Sequence, residues 1–129
     1  MSSSAVILDA SAVLAYLLDE RGGEVVVAEL GGSVIPSVNW AEVSERTRVL
    51  GAWTASLRDE FESTGAQVVP VEAAHAEYAA ALREPTRSTG LSLADRICFA
   101  VAVSRNSPVM TADRAWAELD VGVEVQLIR

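Results

Sequence analysis

Short apolar runs alternate with amphipathic stretches along the whole chain, the pattern of an α/β domain built on a mainly parallel sheet. "AVIL" (5–8) reads as the first strand, and "SAVLAYLLDE" (11–20) opens a helix. "GGEVVVAEL" (22–30) reads as a second helix ending at Gly31-Gly32, and "SVIP" (33–36) as the second strand. "NWAEVSERTRVL" (39–50) and "TASLRDEFEST" (54–64) are helical, separated by Gly51. "QVVPV" (67–71) is the third strand, with its end set by Pro70, and "EAAHAEYAAALR" (72–83) the following helix. After the loop "EPTRSTG" (84–90) comes "SLADRICFAVAVSR" (92–105), the clearest helix in the chain. "PVMT" (108–111) is the fourth strand; a short helix through Trp116 and a last strand, "VEVQLI" (123–128), complete a single domain over 1–129.

The chain is 129 residues long, enough to bury one real core. Half of it is hydrophobic, which points to a covered interface such as a homodimer or a bound partner. No apolar run reaches the ~18 residues that a membrane-spanning helix needs. "MSSSAVIL" carries no basic leader region, so no signal peptide is expected and the cytoplasm is the expected compartment. Cys98 is the only cysteine, which excludes a disulfide framework; its place in "DRICFAVAV" suits core packing. His75 is alone as well, so no His–His acid/base pair exists.

All ten basic residues are arginines. Without lysine there is no Walker A loop and no Schiff-base chemistry. The formal charge of −8 argues against nucleic-acid binding through a broadly basic surface. A compact acidic site that holds metal ions against phosphate remains open.

Asp9, Glu42, Asp95 and Asp113 fall at equivalent topological places, and each also has a structural explanation. "SLAD" is a capping box ending on Asp95, "NWAE" repeats that spacing at Asn39 and Glu42, Ser11 suits an N-cap, and Thr111 or Asp113 suits the last short helix. Together they mean more. In a right-handed βαβ sheet, helices start at the edge where parallel strands end, and open α/β sheets hold ligands there. The seven residues of "EPTRSTG" span up to ~25 Å, enough to bring the chain back along a 12-residue helix of ~18 Å. Every acid that resembles a cap is therefore collected at one crevice.

Four carboxylates at close range raise one another's pKa, and a hard divalent cation relieves the repulsion. Oxygen ligands with retained waters suit Mg²⁺, with Mn²⁺ as the variant, while the lack of Cys and His clusters disfavours Zn²⁺. Asp9, Asp95 and Glu42 are the expected direct ligands, Asp113 acts through a water or a second ion, and Ser11 trims the site. Arg96 and Arg114 each follow an acid and reach either a substrate phosphate or a salt-bridge partner. Arg46, Arg48 and Arg87 are weaker candidates for a substrate-facing rim, and Trp40, Trp53 and Trp116 are read as core or interface anchors.

"VILDASAVLAYLLDE", "VNWAEVSER", "GLSLADRICFAVAVSRNSPVMTADRAW" and "VGVEVQLIR" resemble the PIN-domain family, most closely the VapC-type ribonuclease toxins of bacterial toxin–antitoxin pairs. The resemblance spans nearly the whole chain in order and spacing; each motif alone is weak, and the set is specific. It implies a three-layer α/β/α fold with a short, mostly parallel sheet. It further implies that Asp9, Glu42, Asp95 and Asp113 form the family's acidic quartet, with Ser11 and Thr111 as supporting hydroxyls. It also implies a Mg²⁺- or Mn²⁺-dependent endoribonuclease leaving a 5′-phosphate and a 3′-hydroxyl, a homodimer, and a small VapB-type antitoxin covering the site. Two rivals stand beside it. One is a PIN fold kept as a silent binding module, against which the intact quartet speaks. The other is a receiver or phosphatase-like domain, which would require the lysine this chain lacks.

Overall fold

The computed structural model describes residues 5–129; Met1–Ser4, part of the stretch read for a leader, lie outside them. Strands β1 (Ile7–Leu8), β2 (Val34–Pro36), β3 (Gln67–Val69), β4 (Val109–Thr111) and β5 (Val125–Leu127) form one sheet. Their order is β3-β2-β1-β4-β5, and every neighbouring pair is parallel. Ile7 sits in register with Val34 on one side and Val109 on the other, which puts β1 at the centre. Among the described residues six helices, α1 (Ala10–Leu17), α2 (Gly23–Val27), α3 (Ser37–Val49), α4 (Leu57–Glu62), α5 (Ala73–Ala81) and α6 (Leu93–Arg105), surround it. 3₁₀ turns lie at Arg87–Thr89 and Arg114–Glu118.

Successive strand residues point to opposite faces, and the two cores follow that period. Leu8, Ile35 and Met110 pack with Ala12, Val13, Val26, Val43 and Phe61 from α1 to α4. Ile7, Val34 and Val109 pack on the other face with Ala79 of α5, the Ile97–Ala102 run of α6, and Trp116. The result is the expected three-layer α/β/α arrangement. Trp116 lies with its ring 4.6 Å from that of Phe99, and Cys98 is fully buried beside it in sequence, a packing residue whose thiol burial pushes well up in pKa. Trp40 stacks on Phe61 at 5.2 Å, whereas Trp53 lies at the surface under the Arg48 guanidinium.

The differences from the pattern-based reading have local causes. Pro36 ends β2 and, with its fixed φ, feeds α3 directly, so the helix starts at Ser37 and Asn39 lies inside it rather than at its cap. Asp9, not Ser11, is the N-cap of α1. α2 is only five residues long, and its three consecutive β-branched valines disfavour extension. Gly22 enters it at φ 94°, where an added Cβ would stand 2.6 Å from the Ile128 carbonyl oxygen, so the C-terminal segment closes against this turn only because no side chain intervenes. α6 matches its reading well: it opens on the Ser92–Asp95 capping box and ends on Asn106 in the left-handed region.

Candidate active site

The β1–α1 junction places a carboxylate where it is least able to shed its charge into water. Asp9 follows Leu8 directly and is 5 % exposed. Its Oδ1 accepts the Ala12 N–H at 2.9 Å and the Ser11 hydroxyl at 2.8 Å, and its Oδ2 accepts the Thr111 hydroxyl at 2.6 Å. Ser11 Oγ in turn accepts the Ala112 N–H at 2.9 Å, and Thr111 Oγ1 accepts the Asp113 N–H at 3.0 Å. Each hydroxyl has one proton, and both are given to Asp9. The two hydroxyls thereby latch the β1–α1 turn to the segment leaving β4.

Asp95 and Asp113 hang on element starts, and Glu42 on the body of a helix. Asp95 closes its capping box, with Oδ2 accepting the Ser92 N–H at 3.0 Å. Asp113 caps the second 3₁₀ turn, its Oδ1 accepting the Ala115 N–H at 3.0 Å. Glu42 projects from α3, where its Oε1 accepts from the Asn39 amide at 3.2 Å. All four line one cavity of about 330 Å³ together with Ser11, Leu14 and Arg46. The crevice anticipated from topology is therefore present, at the edge where the strands end.

The electrostatics record the crowding. Burial pushes the Asp9 carboxyl up to about 6; its three hydrogen bonds oppose the shift and the charge of Asp95 adds to it. Glu42 is raised by burial and by Asp95 against the help of its Asn39 bond. Asp95 is raised by burial and by Asp113, with the Ser92 bonds and the neighbouring Arg96 opposing. A positive charge in the cavity would reverse these shifts.

The donor set fits a hard divalent cation: four carboxylates and two hydroxyls, with no thiolate or imidazole. The spacing is looser than the sequence suggested. Among the described residues, no three Asp, Glu, His or Cys side chains converge closely enough to hold an ion as they stand. Each carboxylate is drawn toward its own N–H or hydroxyl partner.

The arginines are distributed differently from their reading. Arg46, a turn beyond Glu42, is the one that lines the acidic cavity. Arg96 turns away, donating to the Ala79 carbonyl at 2.9 Å, and Arg114 donates to the Arg129 carbonyl at 3.0 Å. Neither forms a helix-start salt bridge. Arg87 pairs with Glu84 at 3.4 Å on the surface. Asn39, read only as a cap, is fully buried and ties α3 to the start of α6: its amide donates to Glu42 and, at 3.3 Å, to the Ala94 carbonyl. Both partners accept only, so the amide orientation is fixed, and its Oδ1 is buried without a partner. His75 accepts the Glu72 N–H at Nδ1 and meets Ser104 at 3.1 Å, far in sequence from the acids and outside their cavity.

The pattern of the PIN domain matches residues 6–122 of this chain. No curated protein matches it in sequence. Among solved structures, a toxin–antitoxin complex from Klebsiella pneumoniae is similar at 18 % identity and TM-score 0.74, covering 97 % of this chain and 98 % of that one. DNA-bound VapBC from Salmonella typhimurium is similar at 15 % identity and TM-score 0.68, over 98 % of this chain and 100 % of that one. These two likenesses are of fold. VapBC-5 from Mycobacterium tuberculosis, a member of the VapBC family of toxin–antitoxin systems, reaches 29 % identity at TM-score 0.57, over 98 % and 99 %.

Proposed function

The chain belongs to the PIN-domain family, and from that premise we propose that it is the toxin of a VapBC-type pair, a metal-dependent endoribonuclease. The observation that carries the reading is the gathering of Asp9, Glu42, Asp95 and Asp113 around one cavity at the carboxyl edge of a parallel sheet. Those four residues would hold Mg²⁺ or Mn²⁺. When bound, the ion supplies positive charge to the scissile phosphate and makes an attacking water more acidic. The protein's part is orientation and charge. Ser11 and Thr111 fix both Asp9 oxygens, and the Asp95 cap holds one oxygen and leaves the other for the cavity. No histidine lies in the cavity to move a proton, so the water's proton passes to a carboxylate or to solvent. Hydrolysis leaves a 5′-phosphate and a 3′-hydroxyl.

The expected partners are RNA, a VapB-type antitoxin and a second copy of the chain. Val49 and Leu50, at 72 % and 49 % exposure, give apolar surface of the kind a protein partner covers. Among the described residues no helix is long and apolar enough to cross a membrane, and the cytoplasm is the proposed compartment. The rival reading, a silent binding module, has the wide spacing of the acids in its favour. The two separate on one experiment: total RNA incubated with the purified, antitoxin-free protein in Mg²⁺, in Mn²⁺ and in EDTA, beside an identically purified Asp95→Asn control. Metal-dependent bands lost in the variant establish the nuclease. Folded protein that neither binds the ions nor cuts the pool favours the module.

A further inference from the structure

Arg83, Arg87 and Arg96 line a second cleft, of about 190 Å³, with Thr86, Gly90 and Leu91. We propose that this cleft is a phosphate-binding subsite for the RNA strand, holding a backbone phosphate to one side of the bond that is cut; the inference rests on the nuclease reading.

The first ground is charge. In a chain of net charge −8, three of its ten arginines face one small space. The only carboxylate within ion-pair range of them among the described residues is Glu84, whose pairing with Arg87 is about three-quarters exposed on both sides and so is weak and screened. Arg83 and Arg96 have no such partner. The second ground is anchoring. One nitrogen of Arg96 is fixed to the Ala79 carbonyl, so the guanidinium is held in place at the cleft wall. The guanidinium fork matches phosphate oxygens in pairs and keeps its charge at any physiological pH.

The third ground is position. Asp95 lines the acidic cavity and Arg96 lines the cleft, and adjacent Cα atoms are ~3.8 Å apart. A strand with one phosphate over the acids carries further phosphates within reach of the arginines. The substrate of the acidic cavity is thus the ligand best placed to use the cleft, and an acidic protein segment is the competing occupant.

The test measures binding apart from cleavage. A labelled single-stranded RNA of about ten nucleotides is titrated by anisotropy against Asp95→Asn protein in Mg²⁺ at several salt concentrations. The same titration is run with Arg83→Glu/Arg87→Glu added, with the milder Arg83→Gln/Arg87→Gln, and with Arg58→Glu/Arg105→Glu as the charge-matched control. Arg58, Arg83, Arg87 and Arg105 are all exposed, and melting curves verify the fold of each variant. The expected result is a Kd raised about tenfold by the cleft reversal, less by the Gln pair and less still by the control. The slope of log affinity against log salt should fall by ~0.7 for each phosphate that the cleft no longer neutralises. Equal Kd and slope in cleft and control variants overturn the subsite, as does a cleft reversal that weakens only the binding of an acidic protein. If the unmutated protein cuts no RNA while Kd and slope still respond to the cleft, the nuclease reading falls and the RNA-binding cleft stands.

Discussion

Asp95 lines the acidic cavity and Arg96, the next residue, lines the arginine cleft. On the acidic side each aspartate accepts from a backbone N–H, Asp9 from Ala12, Asp95 from Ser92 and Asp113 from Ala115, and Glu42 accepts from the Asn39 amide. On the arginine side only Arg96 is anchored, and the other two guanidiniums project from an exposed loop and helix end. The aspartates are held by the same bonds that begin α1, α6 and the second 3₁₀ turn, so the fold and most of the site are specified together. The arginines are brought together by a loop whose course no cap dictates. Changes that remove an aspartate's capping oxygen should therefore strike chemistry and stability at once, whereas changes to Arg83 and Arg87 should strike affinity alone.

The largest effect is expected at Asp95 itself. Asp95→Asn keeps an oxygen for the capping box and removes the charge, so cleavage should fall by on the order of 10³-fold or more with the melting temperature held or raised. A variant that cuts at near wild-type rate would remove Asp95 from the site. Next is Thr111→Val, a change of similar shape that deletes the hydroxyl bridging Asp9 and the Asp113 N–H. Loss of such an orienting partner should lower metal affinity or activity by about 10–100-fold. It should also cost about 2 kcal/mol in stability, read by denaturant titration. Thr111→Ser should recover most of both, and failure to do so would assign the residue to packing.

The pH dependence of stability follows from the raised Asp9 pKa. The folded protein holds this proton up to about 6, whereas the unfolded chain releases it near 3.8. Between those values the folded state binds more protons, so stability from this group is full below 3.8 and is lost as pH rises through 6. Glu42 and Asp95 shift in the same direction. At ~1.4 kcal/mol per pKa unit, Asp9 alone accounts for about 3 kcal/mol. The melting temperature of EDTA-treated protein should fall by on the order of 10 °C from pH 4.5 to pH 7. Mg²⁺ or Mn²⁺ should restore stability at pH 7 and have little effect at pH 4.5. Asp9→Asn should flatten the profile; a profile that stays steep would locate the titration elsewhere.

This contrast also explains what could be read in the residues. The gathering of the acids was legible because helix starts and the carboxyl edge of the sheet coincide in a parallel α/β fold. The hydroxyl latch was half legible: Ser11 and Thr111 stood near acids in sequence, but their meeting across the β1–β4 pair is a register effect. Of the two alternatives for Arg96 and Arg114, the helix-start salt bridge is not formed among the described residues. Arg96 and Arg114 follow acids in sequence, yet residues adjacent on a helix or turn point in different directions, and the arginine that shares the cavity is Arg46, a turn from Glu42. Helix starts shifted for a backbone reason, as Pro36 shows.

Asn39 lies on the boundary between these two kinds of construction, and the smallest effect is expected there. Its amide bond holds the Glu42 pKa down, while its own Oδ1 is buried without a partner. Asn39→Ala removes a favourable pair of bonds and an unfavourable orphan together, so the net change in stability should stay within about 1 kcal/mol. Chemistry should register the loss instead. Without the amide donor Glu42 gains further protonation, and the acid side of the pH–rate profile should move to higher pH, with the loss greatest on that side. Asn39→Asp sharpens the point, since a second carboxylate there repels Glu42 and should move the profile in the same direction and further. A profile unmoved by either change, with stability lowered, would make Asn39 a packing residue and confine the site's electrostatics to the acids themselves.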